Sequence, residues 1–312
     1  MIVSVAPSPS LDRTLVVDHV EPGAIHRPHV AVAVPGGKGF NVARAAHALG
    51  ADVAGVAVLG GPTGDVVRRL LADAGVLVSC VEGAHDTRTC TSVACGDSGV
   101  MTEFYERATE VTAREWAELE RTVGDELDRR PGWLTVSGSM PPGAPVEAVA
   151  RLTHLAHGRG ARVAVDTHGE ALEAALGGRP DVVKVNVHEA FAALGVAVTD
   201  AQEAALALHD RRTHGWLTVV TAGTDGAWAV ADGLALHVGT ARPGAFPVGS
   251  GDCFLAGLVV GLYADPADVA AALRLAAATA SANAQQPGAA VLDPALARAW
   301  APDVRTDAVH SP

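Results

Sequence analysis

A short stretch near the C-terminus, residues 247–252, combines small residues with a carboxylate in the order Pro-Val-Gly-Ser-Gly-Asp. An apolar run with helical spacing follows Asp252, which predicts a helix there. Gly249, Ser250 and Gly251 would leave backbone N–H groups uncovered at its N-terminus, where anions bind. This suits phosphoryl transfer, because the amides offset the charge of the moving group while Asp252 takes a proton from the attacking hydroxyl. A turn with Asp as helix cap explains the same residues, and the stretch alone leaves both interpretations open.

A second glycine-rich stretch, Gly-Gly-Lys-Gly at 36–39, opens another predicted helix. Gly36 and Gly37 permit close approach of the backbone to a ligand, and Lys38 supplies a positive charge there. Asn41 follows one turn into the helix, where its amide could hydrogen-bond a sugar hydroxyl. The spacing differs from that of a Walker A loop.

Lysine and asparagine are rare in this chain. Lys38 and Lys184 are the only lysines among 23 Lys and Arg residues, and Asn occurs only at Asn41, Asn186 and Asn283. Lys is a compact point charge and Arg a rigid fork, so neither replaces the other at a tight site. We therefore expect these five positions to carry function.

Further polar residues follow predicted strands. Lys184 and Asn186 alternate to one face at a strand end, and Glu189 lies three residues past Asn186. An amide and a carboxylate so placed can hold hydrated Mg²⁺, but an Asn N-cap with Glu at the third helical position has the same spacing. Asp12 ends a polar loop after the first strand, where it could bind a polyhydroxy substrate or simply form a turn.

Alternating strand and helix patterns predict an α/β fold. Four predicted strands break this rhythm and indicate a small separate sheet, a lid built from segments at about 13–35 and 87–106: 14–20, 28–34, 88–95 and 99–105. The last dozen residues are expected to form a loose tail.

Composition excludes several classes of function. The chain has 312 residues and a formal net charge of −12, which argues against nucleic acid or an anionic membrane as the main partner. No apolar run reaches membrane-spanning length, and the first residues lack the basic start of a signal peptide. The four cysteines show no C-x-x-C spacing, which favours buried thiols in a reducing compartment. We expect a cytoplasmic protein.

Taken together, these stretches make the chain similar to the ribokinase-like (PfkB) carbohydrate kinases over nearly its whole length. The two glycine stretches in this order are the specific feature, and Asn186-Val-His-Glu189 looks like the family's Asn-x-x-Glu motif. The segment 221–226, Thr-Ala-Gly-Thr-Asp-Gly, looks like its nucleotide loop. The resemblance implies one kinase domain over residues 1–312, a three-layer α/β/α sandwich with a small β-sheet lid.

The resemblance also implies ATP and Mg²⁺ as cofactors and assigns roles by position. Asp252 would be the general base, the amides of Gly249, Ser250 and Gly251 would form the anion hole, and Asn186 and Glu189 would organise Mg²⁺. The remaining positions fall into an ATP-binding set and a set that holds the sugar phosphate: Lys184, Asn186, Thr221, Gly223, Gly226 and Asn283 for ATP, and Asp12, Gly36, Gly37, Lys38, Asn41, Arg88 and Ser139 for the sugar phosphate.

Within the family, the chain most resembles the sugar-phosphate kinases of the tagatose-6-phosphate kinase and 1-phosphofructokinase group. This resemblance rests on the stretches 7–12, 87–88, 137–143, 247–252 and 281–284. The chain departs from the group at Thr89 and Cys90, where a hydrophobic residue and an Asn are usual, and at residues 102–109. It implies phosphoryl transfer from ATP to a hydroxyl of a phosphorylated ketohexose. Two alternatives remain: a kinase of an unphosphorylated sugar or nucleoside, and a regulator that binds without turnover. Pairing of two lids in a homodimer would cover exposed sheet edges.

Overall fold

The computed structural model describes residues 1–195, 200–211 and 217–309. Its strands are β1 (Ile2–Val5), β2 (Ser10–Val17), β3 (Val30–Gly36), β4 (Val53–Leu59), β5 (Leu77–Glu82), β6 (Arg88–Cys95), β7 (Met101–Tyr105), β8 (Trp133–Ser137), β9 (Arg162–Asp166), β10 (Val182–Asn186), β11 (Leu217–Thr221), β12 (Ala227–Ala231), β13 (Leu234–Val238) and β14 (Thr306–Ala308). Its α-helices are α1 (Lys38–Ala48), α2 (Gly61–Asp73), α3 (Ala113–Arg129), α4 (Ala148–His157), α5 (Glu170–Gly178), α6 (Val187–Leu194), α7 (Ala201–Asp210), α8 (Ser250–Ala264), α9 (Val269–Asn283) and α10 (Pro294–Trp300).

The main sheet has ten strands in the order β14-β13-β12-β11-β10-β9-β8-β1-β4-β5. The strands from β11 to β5 in this order run parallel, and β12, β13 and β14 continue the sheet antiparallel. The chain leaves β1 towards β4 and β5, then returns to β8 on the other side. Ligands of open α/β sheets bind at the carboxyl ends of strands beside such a reversal.

Helices cover both faces of this sheet. Ile2 of β1 belongs to a core formed with α1, α2, α8 and α9, whereas its neighbour Val3 belongs to a second core formed with α3 to α7. This division follows from the strand geometry, because successive side chains point to opposite faces. The predicted three-layer α/β/α sandwich is confirmed.

The predicted small sheet is also confirmed, in the order β3-β2-β6-β7. We call these four strands the small sheet. The strand β2 begins at Ser10, four residues earlier than predicted, because its first residues pair with Gly36 of β3 and Arg88 of β6. Asp12 therefore lies within a strand and not in the loop that the sequence indicated.

Two glycines allow α8 and α9 to pack closely. A Cβ atom on Gly257 would lie 2.8 Å from Ala276 Cα, and one on Gly261 would lie 2.6 Å from Ala272 Cα. The helix α8 begins at Ser250, so Asp252 belongs to its first turn instead of preceding it. This close packing holds the second half of α8 against α9.

The C-terminus differs from the expected loose tail. Residues 306–308 form β14, which pairs with β13, while 310–312 lie outside the described residues. In the described ranges, no helix is both long and apolar enough to cross a membrane.

Candidate active site

A cleft of about 800 Å³ lies at the carboxyl edge of the main sheet. Residues of the small sheet line one side, and the ends of β10 and β11, the start of α1 and the start of α8 line the other. The cleft brings together most of the predicted site residues: Asp12, Gly37, Lys38, Asn41, Arg88, Ser139, Lys184, Asn186, Thr221, Gly223, Gly249, Ser250, Gly251 and Asp252.

Asp252 is buried at the bottom of the cleft, and its Oδ2 atom accepts a hydrogen bond of 2.8 Å from Asn41 Nδ2. It is not the helix cap, because Gly249 holds the N-cap position of α8. Burial and the neighbouring Asp166 carboxylate raise the pKa of Asp252 to about 7, against the opposing effect of Lys38 and Lys184. A carboxylate with such a pKa can exchange a proton with a substrate at neutral pH.

The amides beside Asp252 differ in one respect from the prediction. The Ser250 N–H is already bonded to Pro247 O at 3.0 Å, so it is not open to a ligand. The first hydrogen bond of α8 joins Cys253 N–H to Gly249 O. The N–H groups of Gly251 and Asp252 have no carbonyl acceptor among the described residues, so these two amides of the first turn are open to an anion, and the role of the Gly249 amide stays a prediction.

Asp166 joins the two lysines of the chain, and the sequence analysis missed it. This fully buried carboxylate ends β9, with Oδ1 2.9 Å from Lys38 Nζ and Oδ2 2.5 Å from Lys184 Nζ. A Cβ atom on Gly251 would lie 3.0 Å from Lys184 Nζ, so this ammonium group sits over the first turn of α8. The signal in the sequence was a polar residue at the end of a predicted strand, the same signal that pointed to Lys184 and Asn186.

The charges of this group shift each other's titration. Burial opposes the charged form of Lys38, but Asp166, Asp252 and Glu189 outweigh it and raise the pKa of Lys38. Burial also opposes ionisation of Asp166, yet Lys184 and Lys38 hold the pKa of Asp166 below its usual value. Both groups are therefore charged at neutral pH, as is required for them to remain paired.

Asn186 and Glu189 form the capping box that was the alternative to a metal site. Asn186 Oδ1 accepts from the Glu189 N–H, and Glu189 Oε2 accepts from the Asn186 N–H, both at 2.9 Å. Glu189 Oε1 lies 3.2 Å from Lys38 Nζ. Both side chains serve the cap, but the Glu189 carboxylate is charged and keeps further acceptor lone pairs, so Glu189 is the better candidate metal ligand of the two.

The described residues contain no cluster of three or more His, Cys, Asp or Glu side chains that could hold a metal ion alone. Mg²⁺ does not need such a cluster in phosphoryl transfer, because one or two carboxylates, waters and phosphate oxygens complete its coordination. Glu189 offers the carboxylate that this mode of binding requires.

The side of the cleft next to the small sheet holds several polar groups without partners. Ser8 Oγ, Asn41 Oδ1 and Arg88 Nε are buried and have no hydrogen-bond partner among the described residues. All three residues line the cleft. Unpartnered buried polar atoms are costly, so their concentration here points to a polar ligand with several hydroxyl or phosphate groups.

Gly36 lies behind this surface instead of lining it. A Cβ atom there would lie 2.0 Å from Asp12 Cγ, so only glycine lets the Asp12 side chain occupy its position. Asp12 accepts a hydrogen bond of 2.6 Å from Ser10 Oγ. Gly36 thus seats a cleft residue without direct access to the ligand.

A smaller cavity of about 200 Å³ adjoins the cleft and has apolar walls from Phe254, Ala277, Ala280 and Ala284. The predicted nucleotide-loop residues Thr221, Gly223 and Gly226 line it. An apolar slot that opens onto a polar cleft suits a nucleobase with its phosphates directed towards α8.

Asn283 contacts the residues just before and at the start of α8. It is fully buried, and its Nδ2 atom donates to Val248 O at 2.9 Å and to Ser250 Oγ at 3.0 Å. It lines neither the cleft nor the cavity. These bonds hold residues 248–250, and the contact of Asn283 with ATP stays a prediction.

Residues 8–296 match the model of the pfkB family carbohydrate kinases, and the chain belongs to this family. It is 33% identical over 260 residues to a 1-phosphofructokinase of Rhodobacter capsulatus, covering 83% of this chain and 82% of that protein. It is 34% identical over 233 residues to the ATP-dependent 6-phosphofructokinase isozyme 2 of Escherichia coli, covering 73% of this chain and 74% of that protein. The tetrameric inhibited form of Escherichia coli phosphofructokinase-2 superimposes with a TM-score of 0.86 and 29% identity, covering 97% of this chain and 98% of that one.

Family membership makes the chain a carbohydrate kinase, which is a phosphotransferase with an alcohol acceptor, and implies ATP as a substrate. The predicted resemblance to the PfkB family is confirmed. The TM-score of 0.86 shows that the structural relative shares the fold of this chain.

We expect Asp166→Asn to change both the rate and the pH dependence. The plateau of kcat should fall about 10- to 100-fold, because the two lysines then repel each other and leave their positions. In the wild type, kcat/KM should rise with pH through about 7, as Asp252 loses its proton. Removing the Asp166 charge removes one cause of that raised pKa, so the midpoint should move to lower pH. Initial rates from pH 5 to pH 9 measure both effects, with the exposed Asp210→Asn variant as control. An unchanged midpoint in Asp166→Asn would contradict the prediction, and so would an equal shift of the midpoint in Asp210→Asn.

Proposed function

We propose that the protein transfers the γ-phosphate of ATP to a hydroxyl of a phosphorylated ketohexose, of the tagatose 6-phosphate or fructose 1-phosphate type. One observation carries the proposal: a buried carboxylate with a pKa of about 7 lies beside two unoccupied amides at the start of α8. That combination provides a proton acceptor and an anion site within one helical turn.

In this reaction, Asp252 accepts the proton of the acceptor hydroxyl as its oxygen attacks phosphorus. Asn41 holds one carboxylate oxygen of Asp252 through a 2.8 Å hydrogen bond and so fixes the orientation of the base. The N–H groups of Gly251 and Asp252, with the ammonium of Lys184 above them, offset the negative charge of the phosphoryl group in transit.

ATP fits the site with its base in the apolar cavity and its phosphates towards α8 and Lys184. Glu189 supplies the carboxylate for Mg²⁺, and the ion offsets charge on the phosphate oxygens when bound. The Glu189 carboxylate is already oriented by the Asn186 N–H and Lys38, so it needs little reorganisation to do so.

The acceptor phosphate is assigned to the region of Arg88. Lys38 was expected to share this role, but Asp166 and Glu189 already compensate its charge. The guanidinium of Arg88 donates only to two backbone carbonyls, those of Glu106 and Ser8, and its Nε has no partner among the described residues. A phosphate could therefore pair with Arg88 without displacing a carboxylate.

The proposal predicts ADP release with Mg-ATP and one phosphorylated ketohexose. The panel contains tagatose 6-phosphate, fructose 1-phosphate, fructose 6-phosphate, free fructose and ribose. Asp252→Asn should lower kcat by about 10²–10⁴-fold, the usual contribution of a general base. Asp73→Asn, an exposed carboxylate on α2, is the matched control and should retain the wild-type rate.

Arg88 separates the two classes of acceptor in the same assay. Arg88→Gln should raise KM for the phosphorylated sugar about 10- to 100-fold, because it removes a charge-assisted contact, and leave KM for ATP nearly unchanged. Arg13→Gln, an exposed position on β2, is the control. Turnover only on fructose or ribose, with no effect of Arg88→Gln, would favour the unphosphorylated-sugar kinase; ligand binding without turnover would favour the regulator.

We also propose that the chain acts as one kinase domain whose small sheet serves as a lid, and that two lids pair in a homodimer. Val100, Phe104 and Tyr105 are large apolar side chains exposed on or beside β7, an edge strand of the small sheet. Exposed apolar edge strands need cover. Sedimentation at micromolar concentration should show a dimer that Phe104→Glu dissociates; a wild-type monomer would contradict the pairing.

A further inference from the structure

Arg44 is a buried cation that neither the family motifs nor the site residues above account for. It lies on α1, three residues after Asn41, and is only 8% exposed. Its guanidinium group donates to three carbonyl oxygens: Nη1 to Pro35 O at 2.7 Å, and Nη2 to Ala289 O at 2.6 Å and Ala290 O at 2.7 Å.

The charge of Arg44 is not matched by a direct ion pair. Among the described residues, no carboxylate oxygen lies within 4.0 Å of its guanidinium nitrogens. Burying a charge without a paired partner is unfavourable, and a smaller neutral side chain could fill the interior at lower cost. The planar fork must therefore supply something that a neutral residue does not, and it reaches three carbonyls at once.

The first carbonyl, Pro35 O, lies near the end of β3, next to the side of the cleft proposed for the sugar. Pro35 directly precedes Gly36, against which Asp12 packs, and Gly37, which has a φ of 89° and is the N-cap of α1. Holding Pro35 O therefore holds the end of β3, where Gly36 seats Asp12. The guanidinium charge also opposes the burial that raises the pKa of Asp12.

The other two carbonyls belong to the segment that supports the amides of α8. A Cβ atom on Gly249 would lie 2.8 Å from Ala290 N and 3.0 Å from Ala289 Cα, so Gly249 rests directly on this segment. Ala290 has a φ of 51°, which is unfavourable for a residue other than glycine. Such a conformation persists only where its surroundings impose it, and the two bonds from Arg44 do so here.

We propose that Arg44 is a positioning residue that fixes the end of β3 before Gly37 and the segment under Gly249, residues 289–290, relative to each other. A single guanidinium group on α1, the helix that also carries Asn41, thereby holds both segments. The expected effects on kcat and KM rest on the proposed function. The expected link between the two segments does not depend on it.

Arg44→Lys tests the kinetic part. One ammonium group cannot reach three carbonyls in the geometry of the fork. We expect kcat to fall about 10- to 100-fold and KM for the sugar phosphate to rise, with KM for ATP within about twofold of wild type, because small misplacements at a reacting centre have effects of this size. Arg298→Lys is the matched control, because its Nη2 atom bonds one backbone carbonyl, Leu49 O, away from the cleft.

Chemical rescue distinguishes positioning from general stability. Guanidinium chloride at millimolar concentration should restore part of kcat in Arg44→Ala and none in Asp252→Asn. A lower Tm with kcat and sugar KM unchanged per folded molecule, well below Tm, would overturn the proposal and leave Arg44 with a purely structural role.

Amide hydrogen exchange of the wild-type protein tests the structural part without any substrate. If Arg44 joins the two segments, amides in residues 36–39 and 288–291 should open with the same free energy, and Arg44→Lys should lower both together. Independent opening of the two segments would overturn the proposal even if no variant folds. An absence of turnover in the wild type would contradict the proposed function alone, because this measurement does not depend on it.

Discussion

The buried carboxylate of Asp166 is the interaction on which the site depends. It pairs with both lysines of the chain, and these reach it from α1 and β10. With Glu189 and Asp252, the group contains two cations and three carboxylates. Burial, together with the neighbouring Asp166 carboxylate, raises the pKa of Asp252 above that of an ordinary aspartate, against the opposing effect of the two lysines.

This charge group requires parts of the chain far apart in sequence to meet at one edge. The five charged residues lie on five different elements: Lys38 on α1, Asp166 on β9, Lys184 on β10, Glu189 on α6 and Asp252 on α8. The order of strands in the main sheet therefore determines whether they meet. Gly251 completes the arrangement, because any side chain there would crowd the Lys184 ammonium. A kinase needs a cation next to its anion site, and in this acidic chain the pairing with Asp166 holds Lys184 at the first turn of α8.

Much of this was readable from residue types and spacing. The two glycine stretches and the rarity of lysine and asparagine indicated residues of the cleft. The alternation of strands and helices predicted the layers. The missing parts share a physical cause: they depend on tertiary contacts. The order of the strands determines that Asp166 is the carboxylate between the two lysines. The Ser250 N–H donates to Pro247 O, a hydrogen bond that the sequence does not predict. Asn186 and Asn283 form hydrogen bonds with neighbouring groups that residue spacing alone did not distinguish from ligand contacts, and their roles towards ATP stay predictions.

The most direct test of this account is the titration of Asp252 itself. Carboxyl carbons of ¹³C-labelled aspartate can be followed by NMR, with Asp252→Asn to assign the signal. The account predicts a midpoint at about 7, well above the ordinary value of 3.8. A midpoint close to 3.8 would show that the buried charges do not prepare Asp252 as a base, and it would remove the central support for the proposed reaction.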